Sequence, residues 1–204
     1  MSYCDWFKEE EKKIKYHEEW GTPLHDDRKL FEFLSYEVMQ CGLSFALILE
    51  RREIINRCFD DFDFDKIASY QEKDIETILT TPLMIHSEKK IRAVVSNAKA
   101  FQKIRKEYGS FSSYLWSYTD NKTLLYEGHE KGRVPVSNAL SKKISKDLKK
   151  RGFLFLGPTV IYSYLQSCGL INDHDANCPR RQYIIEHYPT IKKRRYGEKG
   201  LTKV

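Results

Sequence analysis

Long apolar runs are missing from this chain of 204 residues. The longest, from Leu43 to Leu49, is broken by a serine and falls far short of the ~20 residues that a membrane-crossing helix needs. No apolar core follows the opening Met1-Ser2-Tyr3-Cys4-Asp5-Trp6, so no secretory leader is expected and the expected location is cytoplasmic. An even cysteine framework is also absent. The five cysteines stand at positions 4, 41, 58, 168 and 178, and an odd count in a reducing compartment makes no disulfide scaffold. Cys41, Cys58 and Cys168 lie in helical, apolar contexts and read as core residues. Alternating strand patterns and internal repeats are lacking too.

What is present is helical periodicity and an uneven charge. The formal net charge is +6. From Pro179 onward there are eight Lys/Arg against two Glu, which leaves 27 of each sign in the remaining body. A basic tail can bind phosphates through counterion release, or simply aid solubility, so charge alone does not decide for nucleic acid. Asp26 and Asp27 precede a helix over 28–40, with Leu30, Phe31, Leu34 and Val38 on one face and Gly42 as its stop. Ser44 precedes a helix over 45–58. Shorter helices follow near 66–70 and 71–80. Pro82 breaks the chain before a long helix over 87–108, closed by Gly109. A short helix over 112–118, a polar loop over 119–135 and a helix over 137–151 come next; Pro158 then opens a helix that ends before Gly169. The fold class is all-α, one domain over 1–178, with a basic tail over 179–204 expected to be mobile.

Two pairs of metal-ligand types lie far apart: Cys4 with His17, and His174 with Cys178, which at i and i+4 can share a helix face. Four such ligands could staple the chain ends, although on spacing alone a scatter of Cys and His is the plainer reading. Their neighbours add order. Tyr16-His17-Glu18-Glu19-Trp20-Gly21 is followed by Glu37 and Gly42-Leu43-Ser44-Phe45. Later come Lys149-Lys150-Arg151-Gly152-Phe153-x-Phe155-x-Gly157 and Gly169-Leu170-Ile171-Asn172-Asp173-His174. From Cys4 to Cys178 this series resembles the DNA-3-methyladenine glycosylase I family of the helix-hairpin-helix superfamily.

The resemblance implies a helical domain with a helix-hairpin-helix element, in which zinc joins segments 1–25 and 170–178 through Cys4, His17, His174 and Cys178. It implies a monomeric, monofunctional glycosylase that flips alkylated adenine out of duplex DNA and hydrolyses its bond to the sugar, releasing free 3-methyladenine. No lyase step is expected, because no Schiff-base lysine stands out. The alternative is a zinc-stapled DNA-binding or damage-sensing module with weak or no catalysis.

Recognition of a cationic base calls for a carboxylate and aromatic faces. The resemblance gives the carboxylate role to Glu37 and the stacking roles to Tyr16, Phe45, Trp6 and Trp20. Spacing alone favours a solvated flank for Glu37, and the aromatics could be core. Phe45 departs from the family's usual tryptophan, which reduces stacking area. Gly42 and Leu43 match the turn and apolar wedge that enter the base stack; a buried helix-terminus leucine is the competing reading. The hairpin between the helices ending near Leu79 and beginning at Ser87 is expected to hold a phosphate on backbone N–H groups, with Lys89 and Lys90 in support. Ser87 and Glu88 depart from the family's Arg-rich, Gly-containing hairpin. Ser145 and Lys146 could contact phosphates or lie on a solvated helix face.

Overall fold

The computed structural model of the protein describes Cys4 and residues 11–194. Trp6, one of the expected stacking residues, lies outside them. The described chain is mostly helical: α1 (Glu11–Glu19), α2 (Asp27–Gln40), α3 (Phe45–Glu50), α4 (Arg52–Cys58), α5 (Phe64–Ala68), α6 (Glu72–Thr80), α7 (Glu88–Tyr108), α8 (Phe111–Ser117), α9 (Ala139–Lys150), α10 (Pro158–Ser167) and α11 (Pro179–His187). None of the described helices is long and apolar enough to cross a membrane.

Helix α2 is the axis of the core. Asp26 caps it, its side chain accepting from Lys29 N at 2.8 Å. The apolar positions Leu30, Phe31, Leu34 and Val38 are fully buried, each contributing ~1.5–3 kcal/mol by leaving water. They pack against α7 and α10. Phe31 meets Phe62, Phe64 and Phe101 edge-on. Asp27 does a second job across the core: its carboxylate accepts from Phe111 N at 3.0 Å and Ser112 N at 2.8 Å, satisfying the start of α8.

Three expectations are corrected. The helix expected over 45–58 breaks at Arg51 (φ −99°, ψ 9°) into α3 and α4. The expected loop over 119–135 contains a strand, β1 (Thr123–Tyr126), and a 3₁₀ turn at His129–Lys131. The segment from Pro179, expected as a mobile tail, starts with α11, in which Pro179 sits in the first turn. It continues into β2 (Thr190–Lys193), which pairs in parallel with β1 in the register Thr123 to Thr190 and Leu125 to Lys192. The fold is therefore helical with a two-stranded parallel sheet that ties residues 190–193 to the middle of the sequence.

Candidate active site

Glu37 lies on the last turns of α2, and the same helix carries a second acid, Glu32, in a very different setting. Glu32 is buried yet sits between Lys29 (2.7 Å) and Arg52 (3.0 Å), and these cations outweigh the burial and hold its carboxyl below the usual range. Arg52 also reaches Glu19 at 2.9 Å, fastening α4 to α1. Among the described residues Glu37 has no such cation. Burial pushes its carboxyl up to about 8, opposed only by a hydrogen bond that Ser167 Oγ donates at 3.4 Å. Desolvation governs one acid and charge pairing the other.

Glu37 opens onto a cleft of about 690 Å³. Tyr16 from α1 and Phe45, the first residue of α3, stand beside it with ring centroids 4.7 Å apart and planes tilted by 59°. Ser44 positions Phe45 by capping α3, accepting from Leu47 N at 3.3 Å. Trp20 and Gln40 line the same cleft. Burial raises the Tyr16 hydroxyl well above its ordinary value, and nearby Glu37 adds to the effect, so the phenol stays neutral.

The opposite wall was not foreseen. Gln166 and Ser163 on α10, with Asp173 behind them, face the cleft. Asp173 is buried and accepts from Tyr162 (2.7 Å), Gln166 (2.8 Å) and His129 Nδ1 (2.6 Å). The His129 contact draws the 3₁₀ turn, followed by Gly132 and Val134, to the cleft edge. Ser163, Gln166 and Ser167 stand at i, i+3 and i+4 on a largely apolar helix, and that polar stripe was the available signal.

Next to the cleft, Cys4, His17, His174 and Cys178 come together. All four are buried, and their ligand atoms lie within 4.8 Å of one another, a cluster able to hold a metal ion. The His174 Nδ1 faces Cys4 Sγ at 3.4 Å and Cys178 Sγ at 3.5 Å, and Cys178 Sγ stands 3.6 Å from His17 Nε2. The two thiols are strongly unequal. A hydrogen bond from Cys4 draws the Cys178 sulfur far down, while the same bond and burial push Cys4 up. His174 Nε2 donates to the Trp20 carbonyl at 3.1 Å, leaving Nδ1 for the cluster. That approach requires glycine at 21. A Cβ there would lie 2.7 Å from His174 Nε2, and φ is +77°. Gly169 has the same constraint, since its Cβ would meet Pro23 N at 2.4 Å.

A family model described as methyladenine glycosylase matches residues 6–182. The chain belongs to the methyladenine glycosylase family. It is 37% identical over 179 residues to DNA-3-methyladenine glycosylase 1 of Escherichia coli strain K12, covering 87% of this chain and 96% of that protein. It is 39% identical over 177 residues to DNA-3-methyladenine glycosylase of Haemophilus influenzae Rd, covering 86% and 96%. The solved structure describing 3-methyladenine recognition by 3-methyladenine DNA glycosylase I of Staphylococcus aureus superposes with a TM-score of 0.82. Its identity is 37%, over 87% of this chain and 95% of that one.

In this methyladenine glycosylase the residues expected to face DNA divide into two groups. Leu43 is exposed, following Gly42 in a turn at φ +74°. Lys89 and Lys146 are exposed, and Ser87 is half-buried where it precedes α7. Glu88, the expected source of repulsion, is paired with Arg92 at 2.8 Å. Two candidates point inward instead. Lys90 is buried and its Nζ donates to the Met39 carbonyl at 2.8 Å and the Cys41 carbonyl at 2.6 Å, satisfying the end of α2. Ser145 is buried and its Oγ donates to the Leu156 carbonyl at 2.7 Å. Neither is presented to a phosphate.

Proposed function

We propose that this chain excises 3-methyladenine from duplex DNA by hydrolysis. The observation that carries the reading is a half-buried carboxyl, Glu37, with no cation paired to it among the described residues, beside two aromatic faces in one cleft. A cationic base flipped into that cleft would stack between Tyr16 and Phe45, and its charge would favour the carboxylate form of Glu37. The lesion makes the chemistry undemanding. Because the base carries positive charge, breaking its bond to the sugar carbon sends the electron pair to a leaving group that departs neutral. Water adds to that carbon and loses a proton to solvent. The protein's part is to extrude, orient and recognise.

Cys4, His17, His174 and Cys178 would hold a structural zinc ion. Bonds of ~2.3 Å to sulfur and ~2.1 Å to nitrogen at tetrahedral angles give a sulfur–nitrogen edge of about 3.6 Å, and the three such contacts here run from 3.4 to 3.6 Å. Two thiolates would neutralise the dication. Four protein ligands leave no open position, so the ion would organise residues rather than react. The connection between α6 and α7 is read as the helix-hairpin-helix element. Arg51 donates to the Leu83 carbonyl at 2.7 Å and shapes that turn. With the Glu88 side chain drawn along α7 to Arg92, which also pairs with Glu72, the first N–H groups of α7 would bind a backbone phosphate. The protein is read as a cytoplasmic monomer.

The decisive experiment is incubation with methylated duplex DNA and chromatography of the purines released. Free 3-methyladenine, produced catalytically, is the expected result. Tight binding of the free base with no release would establish the binding-only module instead.

A further inference from the structure

The loop between α9 and α10 carries a conformational oddity that the cleft does not use. Phe155 adopts φ +61°, a left-handed backbone that a bulky side chain rarely takes, and the residue is 42% exposed. Leu154 beside it is 48% exposed, whereas Phe153 and Leu156 on either side are buried. Burial of the ring therefore does not account for the strained backbone.

The surroundings impose it. The carbonyls on both sides of Phe155 each receive a side-chain donor from a different helix. Asn97 of α7, itself fully buried, donates to the Leu154 carbonyl at 3.1 Å and accepts from Leu154 N at 2.8 Å. The Cys41 thiol approaches the Phe155 carbonyl at 3.9 Å, and Ser145 of α9 holds the Leu156 carbonyl. The loop is thus clamped with an apolar ring turned to solvent, and rigid presentation of a large apolar side chain is what a protein needs to unstack bases.

Its position selects the occupant. Cys41 belongs to the turn that presents Leu43, two residues further on, and its carbonyl is held by Lys90 from the first turn of α7. Asn97 is nine residues along α7 from Glu88, roughly 14 Å from the end expected to take a phosphate. That is about four base steps of duplex. Lys146, Lys149 and Lys150 are exposed on α9, which leads into the loop.

We propose that Phe155 is a second apolar wedge, entering the duplex on the strand opposite the extruded nucleotide while Leu43 enters beside it. The proposal rests on the glycosylase reading. Glycine is the informative substitution, because it removes the ring and at the same time suits the left-handed backbone.

The test compares the full chain with Phe155→Gly in three measurements. The first is fluorescence of 2-aminopurine placed opposite a tetrahydrofuran abasic analogue in duplex DNA. Wild type should raise it by unstacking that base, and Phe155→Gly should lose the rise. The second is kcat/KM for 3-methyladenine release, which should fall about tenfold on duplex DNA and stay unchanged on single strands. The third is binding of free 3-methyladenine together with Tm, neither of which should fall. If wild type releases no base, the glycosylase reading fails first. If wild type is active and the variant keeps the fluorescence rise and the duplex rate, the wedge is overturned. A loss of free-base binding or of Tm in Phe155→Gly also overturns it, since the ring would then be structural.

Discussion

Replacing Glu37 by glutamine separates what the cleft costs the fold from what it does for the base. In the folded protein burial lifts the carboxyl from its ordinary 4.5 to about 8. The unfolded chain keeps the ordinary value. Below about pH 4.5 both states hold the proton and nothing is lost. As pH rises toward 8 the unfolded chain releases its proton while the folded chain retains it, so stability falls across that window and levels off above it. Each unit is worth ~1.4 kcal/mol, which sets a ceiling near 5 kcal/mol. Glu37 borders an open cleft, and water there reduces the cost to roughly 2–4 kcal/mol. Tyr16, Tyr164 and Cys168, which lie close to it, are raised by burial and stay neutral through the window. Glutamine keeps the size and still accepts from Ser167, but cannot ionise. Urea unfolding should therefore find the variant and the parent similar at about pH 5 and the variant more stable by roughly 2–4 kcal/mol at about pH 9. Affinity for 3-methyladenine should move the other way, falling ten- to a hundredfold as a charge-assisted hydrogen bond of ~1.5–3 kcal/mol is lost. A stability difference that does not change with pH would refute the buried-acid argument, and undiminished base binding would refute the recognition role.

Metal analysis of the gently purified protein should find one zinc per chain. Its removal should loosen residues around Cys4 and Cys178 while most of the helical signal survives, because the core around α2 exists without it. Lys90→Met should destabilise the fold by roughly 1.5–3 kcal/mol by orphaning the Met39 and Cys41 carbonyls. The salt dependence of DNA binding should keep its slope; a slope reduced by about one would instead mean a phosphate contact.

The helices were readable because their signals are local. Asp26 caps α2 as expected, and the long helix closed by Gly109 runs from Glu88 to Tyr108. The sheet was not readable. All four residues of β1 are buried, so no alternation exists to be seen, and its partner lies 67 positions away in a basic segment that resembles a solvated tail. Family likeness named Tyr16, Glu37 and Phe45, and the structure brings them to one cleft, but it passed over Asp173 and Gln166. Their roles depend on the 3₁₀ turn that delivers His129, which no periodicity announces. Lys90 and Ser145 were misjudged for a related reason. A polar side chain is read as surface until a neighbouring backbone, in these cases the end of α2 and the loop at Leu156, is seen to need it.

The Cys4–His174 contact spans 170 positions of sequence. During synthesis the chain leaves the ribosome from its amino end, so His17 and Tyr16 emerge long before the partners that hold α1 in place. Trp20 is gripped by His174, and Glu37 finds Ser167, only once residues 167–174 are out. A stalled or prematurely terminated product therefore carries the aromatic and acidic residues of the cleft without a formed cleft. Translation must run past Cys178 before the cleft gains its α10 wall and the Cys/His cluster can close, so a shorter fragment would carry only one side of the site.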